Sequence, residues 1–289
     1  MKDLIPPENL YRYRPSGSEY FPEEIRQLRR NGVFLTPAEF LNDPFDCNPA
    51  IEDVPIAELA REIRKFGVER FRRIRLRRAK SLGSYKKHEL TLLREKYKSS
   101  VSSAEFEAPF LSSVYEVHRN NALRVSCFSE VGDSTLMWSH YAESHKGFVV
   151  KYHFDASKLH SSNSALPLKV KYTSQRPKFT TIEVFQHDNM DDAPADEGEF
   201  LGDPVGEGFY LTKSDSWKEE REWRLIESEL DGSKLDNSGY FFYENLVPIK
   251  VIAGVNMPEE KVDFVREHLP DIEICRAKVH PISFDLCIE

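Results

Sequence analysis

Between Arg124 and Lys151 the residues leave the chain few choices other than a strand, a short helix and a second strand. Val125, Cys127 and Phe128 form a short apolar run bracketed by the hydroxyls of Ser126 and Ser129, which is the pattern of a buried strand ending at a pocket or a turn. Lys146-Gly147 supplies a turn, and Phe148, Val149, Val150, Tyr152 and Phe154 follow as an aromatic and β-branched run, so Gly147 to Phe154 reads as a second strand. Between them, Ser134 is placed to cap a helix that carries Leu136, Met137, Tyr141 and Ala142 at near-helical spacing. Trp138, His140 and His145 lie in or just after that helix, in the stretch richest in chemically able side chains.

A chain of 289 residues, 40% hydrophobic and 12% aromatic, has enough apolar material for one sizeable core. The expectation is a single domain over 1–289, α+β in class, with two small packed, largely antiparallel sheets and a long basic helical insertion at about 55–122. Leu59, Ile63, Phe66, Phe71, Ile74, Leu90, Leu93 and Tyr97 recur at three- and four-residue spacings in that block, and Leu82-Gly83-Ser84 breaks it. Cys47, Cys127, Cys275 and Cys287 show no close metal-ligand pairing, and the start of the chain lacks an apolar leader, which together point to a reduced, cytoplasmic setting. No apolar stretch approaches the roughly 20 residues that span a bilayer.

Charge is unevenly placed. The total is −8, yet residues 61–98 hold 15 Lys and Arg against four Glu, an excess of 11 that leaves the rest of the chain at −19. Such an arm can bind acidic protein segments or nucleic acid, or dock on acidic stretches of its own chain such as Asp188 to Glu207. Its few aromatics are helix-spaced, which suits packing better than base stacking.

Elsewhere the order is readable in outline. Asn9 to Arg14 alternates, placing Leu10, Arg12 and Arg14 on one strand face and Tyr11 and Tyr13 on the other. Phe21 to Arg30 reads as a helix begun by Pro22, Val33 to Thr36 as a strand, and Phe40 to Cys47 as an ordered turn whose two Phe side chains are expected to plug into the core. Asp188 to Gly208 has the composition of a mobile loop. If Glu220 to Ile226 is a strand, Glu220, Glu222 and Arg224 share a face and present paired carboxylates that raise each other's pKa; the competing reading makes Glu222 and Arg224 a structural ion pair on an exposed strand. His140 and His145 are five residues apart, which does not suit a helical zinc pair, and no metal site is expected; a Cys127 nucleophile with His140 as base is a further alternative to inert packing.

Tyr11-Arg12-Tyr13, the Asn-Asp-Pro-Phe-Asp run within Phe40 to Asp46, Cys127-Phe128-Ser129, Met137 to Ala142, His145 to Phe148, and Trp217 with Glu220 to Arg224 together resemble the bacterial domain of unknown function family 2971 over nearly the whole chain. The order of motifs also resembles arginine-type ADP-ribosyltransferases, which place an Arg on the first strand, a Ser-centred strand in the middle and a Glu-x-Glu strand late. That resemblance implies a transferase that cleaves NAD, with Arg12 holding the phosphates, Ser126 or Ser129 orienting the ribose, and Glu222, partnered by Glu220, stabilising an oxocarbenium-like state. Trp138, His140 or Tyr141 would supply a wall against the nicotinamide. The middle motif departs from the usual Ser-Thr-Ser, being Ser-Cys-Phe-Ser, which leaves both serines as candidates. The acceptor is not named by the sequence, and a non-catalytic module that binds a ligand or nucleic acid through the same polar motifs is the alternative.

Overall fold

The computed structural model describes residues 5–67, 123–159, 164–190, 204–228 and 239–288. Most of the basic block expected at 55–122, and the middle of the acidic stretch, lie outside them. One eight-stranded sheet organises the rest. Its strands run in the spatial order Glu273–Arg276, Leu246–Ala253, Phe148–Phe154, Asn9–Arg14, Leu123–Ser129, Glu222–Ser228 and Leu168–Lys169, with Thr36–Pro37 laid along the Leu123–Ser129 strand. All these pairings are antiparallel except the edge pair between Leu246–Ala253 and Glu273–Arg276. The mixed α+β class and the largely antiparallel pairing are those expected; the strands divide into this large sheet and four two-stranded ones, where two small sheets were anticipated.

The strand faces follow the alternation in the sequence. Leu10, Val150, Tyr152, Phe154 and Val251 enter one apolar cluster with Phe21, Ile25 and Leu28 of the helix Phe21–Leu28 and with Val262 and Val265 of the helix Glu259–His268. Tyr13, Val149 and Ile252 face the other way onto Met137 and Trp138 of the helix Thr135–Tyr141. Ser134 caps that helix as expected, accepting from Met137 N. The helix Ile56–Phe66 begins after Pro55, ends at Gly67 with φ 101°, and packs Leu59 and Ile63 on Val184 and Phe185. Two ends of the acidic stretch are regular: Thr181–Met190 and Pro204–Tyr210 are helical, the second opened by a proline whose fixed φ suits a first helical turn.

The sheet has one weak seam. The strands Asn9–Arg14 and Leu123–Ser129 are neighbours through the single register pair Tyr11↔Ser129, while Thr36 and Pro37 pair with Val125 and Arg124 further along the same edge. Between these two points the strands splay, and a cavity of about 220 Å³ lies there.

Among the described residues no helix is long and apolar enough to cross a membrane.

Candidate functional site

The cavity is lined by residues from five separate parts of the chain. Arg12 and Arg14 come from the first strand, Asn42 and Asp46 from the turn after Phe40, Ser126 and Cys127 from the middle strand, Tyr141 from the end of the helix, and Lys213, Glu220 and Glu222 from the late segment. Arg12 is buried, donates to Phe34 O at 2.7 Å and lies 3.6 Å from Glu24, which Arg14 Nε also meets at 2.5 Å. The Ser126 hydroxyl is buried and has no hydrogen-bond partner among the described residues.

The late segment is built differently from a plain Glu-x-Glu strand. Asp215–Glu220 is a 3₁₀-helix, Arg221 adopts a left-handed conformation at φ 46°, and the strand starts only at Glu222. Glu220 and Glu222 therefore come together through a sharp turn, and through Lys213, whose Nζ stands 2.6 Å from Glu220 Oε2 and 3.0 Å from Glu222 Oε2. A left-handed non-glycine residue costs about 1–2 kcal/mol, which the surrounding ion pairs must offset. Arg224, wholly buried, reaches Glu222 Oε1 through Nε at 2.7 Å, the Asp46 carboxylate at 2.8 Å and Tyr210 O at 2.8 Å. Lys213 lies 3.6 Å from Asp46 as well. Three carboxylates and two cations thus share one buried network, so the Glu222–Arg224 pair is structural, as one reading held, but buried instead of exposed.

The two glutamates do not share one electrostatic fate. Burial works to raise the Glu222 pKa, but Arg224 and Lys213 outweigh it and hold the group well below the ordinary carboxylate range. Glu220 is raised, by burial first and by the nearby Glu222 charge, with Lys213 opposing. Its Oε1 accepts from the Tyr141 hydroxyl at 2.5 Å, and Tyr141 in turn accepts from Asn42 Nδ2 at 3.2 Å. Lys213 stays protonated: burial lowers its pKa, and the three carboxylates more than reverse that.

Of the residues singled out in the sequence, Arg12, Ser126, Tyr141, Glu220 and Glu222 line this cavity together. Ser129, Trp138 and His140 do not. Ser129 is buried with its hydroxyl donating to Glu220 O at 2.7 Å, which fixes the turn that carries Glu220. Trp138 is core: it packs edge-on against Tyr13 and donates to Gly132 O. His140 is exposed with its ring against Trp217, and His145 stacks on Trp138 and meets Ser139. Cys127 lines the cavity, but burial pushes its thiol well up, so it is not a ready nucleophile. Among the described residues no group of three or more His, Cys, Asp or Glu is placed to hold a metal ion.

The turn Phe40 to Cys47 corrects one expectation. Phe40 and Phe45 are 70% and 60% exposed and do not plug into the core; Asp43 accepts from Phe45 N and Asp46 is buried, so the acidic residues turn inward. The pairing with Lys213 and Arg224 offsets the desolvation of Asp46, whereas a Phe there would leave both cations short of a partner. Asp46, Lys213, Arg224 and Arg14 were not recognised in the sequence as parts of a site. Arg224, two residues after Glu222 on the same strand face, was the one visible signal; Asp46 lies 178 residues from its partner.

Residues 137–225 match the model of a family described as a protein of unknown function, DUF2971. This segment is similar to DUF2971. It carries Tyr141, Lys213, Glu220, Glu222 and Arg224, whereas Arg12, Asp46 and Ser126 complete the cavity from outside the matched residues. No curated protein and no solved structure matches the chain.

Proposed function

We propose that this protein is an ADP-ribosyltransferase-like enzyme that cleaves NAD and transfers ADP-ribose to an acceptor. The observation that supports this is the presence of Arg12, Ser126, Glu220 and Glu222 on one cavity at the splayed seam. NAD enters as a substrate. The bond from ribose to nicotinamide breaks with its electron pair leaving on nicotinamide, a bond forms from the ribose carbon to the acceptor, and the acceptor gives up a proton. Arg12 binds the phosphates, Ser126 offers its free hydroxyl to the ribose, and Glu222, ionised across neutral pH, faces the positive charge that develops on the ribose ring. At about 220 Å³ the cavity is below the roughly 300–1,000 Å³ usual for small-molecule sites, so it would enclose only part of NAD.

The acceptor is unnamed; apart from the chemistry, the basic stretch at 61–98 would meet a partner, an acidic protein segment or nucleic acid, and binding of nucleic acid there should fall steeply between low and moderate salt. A non-catalytic ligand-binding module is favoured by one observation: both oxygens of Glu222 are already held by cations. Release of nicotinamide from NAD by the purified protein, beside Glu222→Gln, separates the two. Turnover lost in a variant that still folds supports catalysis, and no release by the wild type with protein and nucleic-acid acceptors present supports the module.

A further inference from the structure

The charges around the cavity fall into two groups that share no ion pair with each other. On one side Arg12 and Arg14 face a single carboxylate, Glu24. On the other, Asp46, Glu220 and Glu222 face two cations, Lys213 and Arg224. Among the described residues the first group therefore carries an unmatched positive charge and the second an unmatched negative charge. All eight side chains except Arg14 are almost fully withdrawn from water, where such imbalances are felt more strongly than at a surface. Ser126 lines the same cavity, 1% exposed, with a hydroxyl that has no partner among the described residues and that can both donate and accept. A buried, unpaired hydroxyl costs about 1–3 kcal/mol unless something hydrogen-bonds to it.

We infer that the cavity is a receptor for a small dipolar ligand, with its anionic group toward Arg12 and Arg14, its cationic group toward Glu220, Glu222 and Asp46, and a hydroxyl-bearing middle on Ser126. A purely anionic molecule of the same size balances only one end, and an uncharged one balances neither. The inference rests on the NAD reading for its choice of ligand. The nicotinamide mononucleotide half of NAD is such a dipole, a phosphate at one end and a pyridinium cation at the other, joined by a ribose. On reduction the ring becomes neutral and the phosphate is unchanged. The cavity thereby selects the oxidised ring over the reduced one through charge, before any bond is broken.

Calorimetric titration of the full chain with nicotinamide mononucleotide, and with its reduced form, tests this directly. The oxidised form should bind at least about tenfold more tightly, the scale of one unmatched buried charge meeting its counterpart. Glu220→Gln leaves two carboxylates against two cations, and should bring the two affinities to within about threefold by weakening the oxidised form more than the reduced one. Equal affinities for the two forms in the wild type, or binding of neither, overturns the inference without recourse to the variant. Nicotinamide release from NAD is followed separately. Preference for the oxidised form without release keeps the dipolar receptor and removes the transferase, and release without preference does the reverse.

Discussion

Tyr141 donates to Glu220 across 79 residues of sequence, and this 2.5 Å hydrogen bond fastens the end of the helix Thr135–Tyr141 to the turn that carries the cavity's second glutamate. Lys213 occupies the other Glu220 oxygen, so the carboxylate is oriented from both sides. Tyr141→Phe removes one of the two donors and leaves the ring in place. Its expected effect is a loss of about 1 kcal/mol in chemical denaturation, with a larger proportional loss of ligand affinity than of stability. Unchanged affinity would mean that Lys213 alone sets the position of Glu220.

Arg224 is the hub of the buried network, and removing it leaves Asp46, Glu220 and Glu222 to share Lys213 alone. Arg224→Met is expected to destabilise by about 3–5 kcal/mol, the usual result of breaking a buried pair from one side, and to be read as a lowered urea midpoint. Arg224→Lys should recover only part of this, since an ammonium cannot reach Glu222, Asp46 and Tyr210 O in the geometry a guanidinium spans.

Acid should unfold the protein through Glu222. Its folded pKa is depressed below the ordinary 4.5, so its contribution is complete above that value and is lost as pH falls through and below it toward the folded value. Glu220, with a raised pKa, works in the opposite sense: its contribution is present below 4.5 and is lost as pH rises from there toward the folded value. Urea midpoints measured from about pH 3 to 7 should therefore climb with pH in the wild type, climb less steeply in Glu222→Gln, and climb more steeply in Glu220→Gln.

Gly147 lies where three elements meet. A Cβ there would stand 2.1 Å from Arg14 O and 2.9 Å from the Ala142 carbonyl, both backbone and unable to swing aside. Gly147→Ala should cost about 1–3 kcal/mol by overpacking and lower the thermal midpoint, and because Arg14 lines the cavity it should weaken ligand binding in the same variant.

The parts of the fold that were legible are those with local causes. The alternation of Leu10 to Arg14, the Ser134 cap, the Gly147 turn and the apolar run after it each state their structure within a few residues. Phe40 and Phe45 misled because their apolar character points inward by default, whereas the charge of Asp46 was claimed by partners far along the chain. Glu220 and Glu222 were recognised as a pair for a reason that does not hold, since the left-handed Arg221 and not strand alternation joins them. Lys213 left no local sign at all. Its role exists only once Asp46, Glu220 and Glu222 are gathered around it, and nothing in the neighbouring sequence records that meeting.

The seam at Tyr11↔Ser129 bears on how such a protein could acquire new ligands. The two walls of the cavity belong to separately fastened ladders, one running out through Phe148–Phe154 and Leu246–Ala253, the other through Glu222–Ser228 and Leu168–Lys169. Widening the gap breaks one backbone bridge, side-chain ties such as Arg12 to Phe34 O and Tyr13 to Val131 O, and some apolar packing such as Phe128 on Tyr152, while both ladders stay whole. The dimensions and charge of the pocket can drift one residue at a time under selection, with the architecture that holds it insulated from the change.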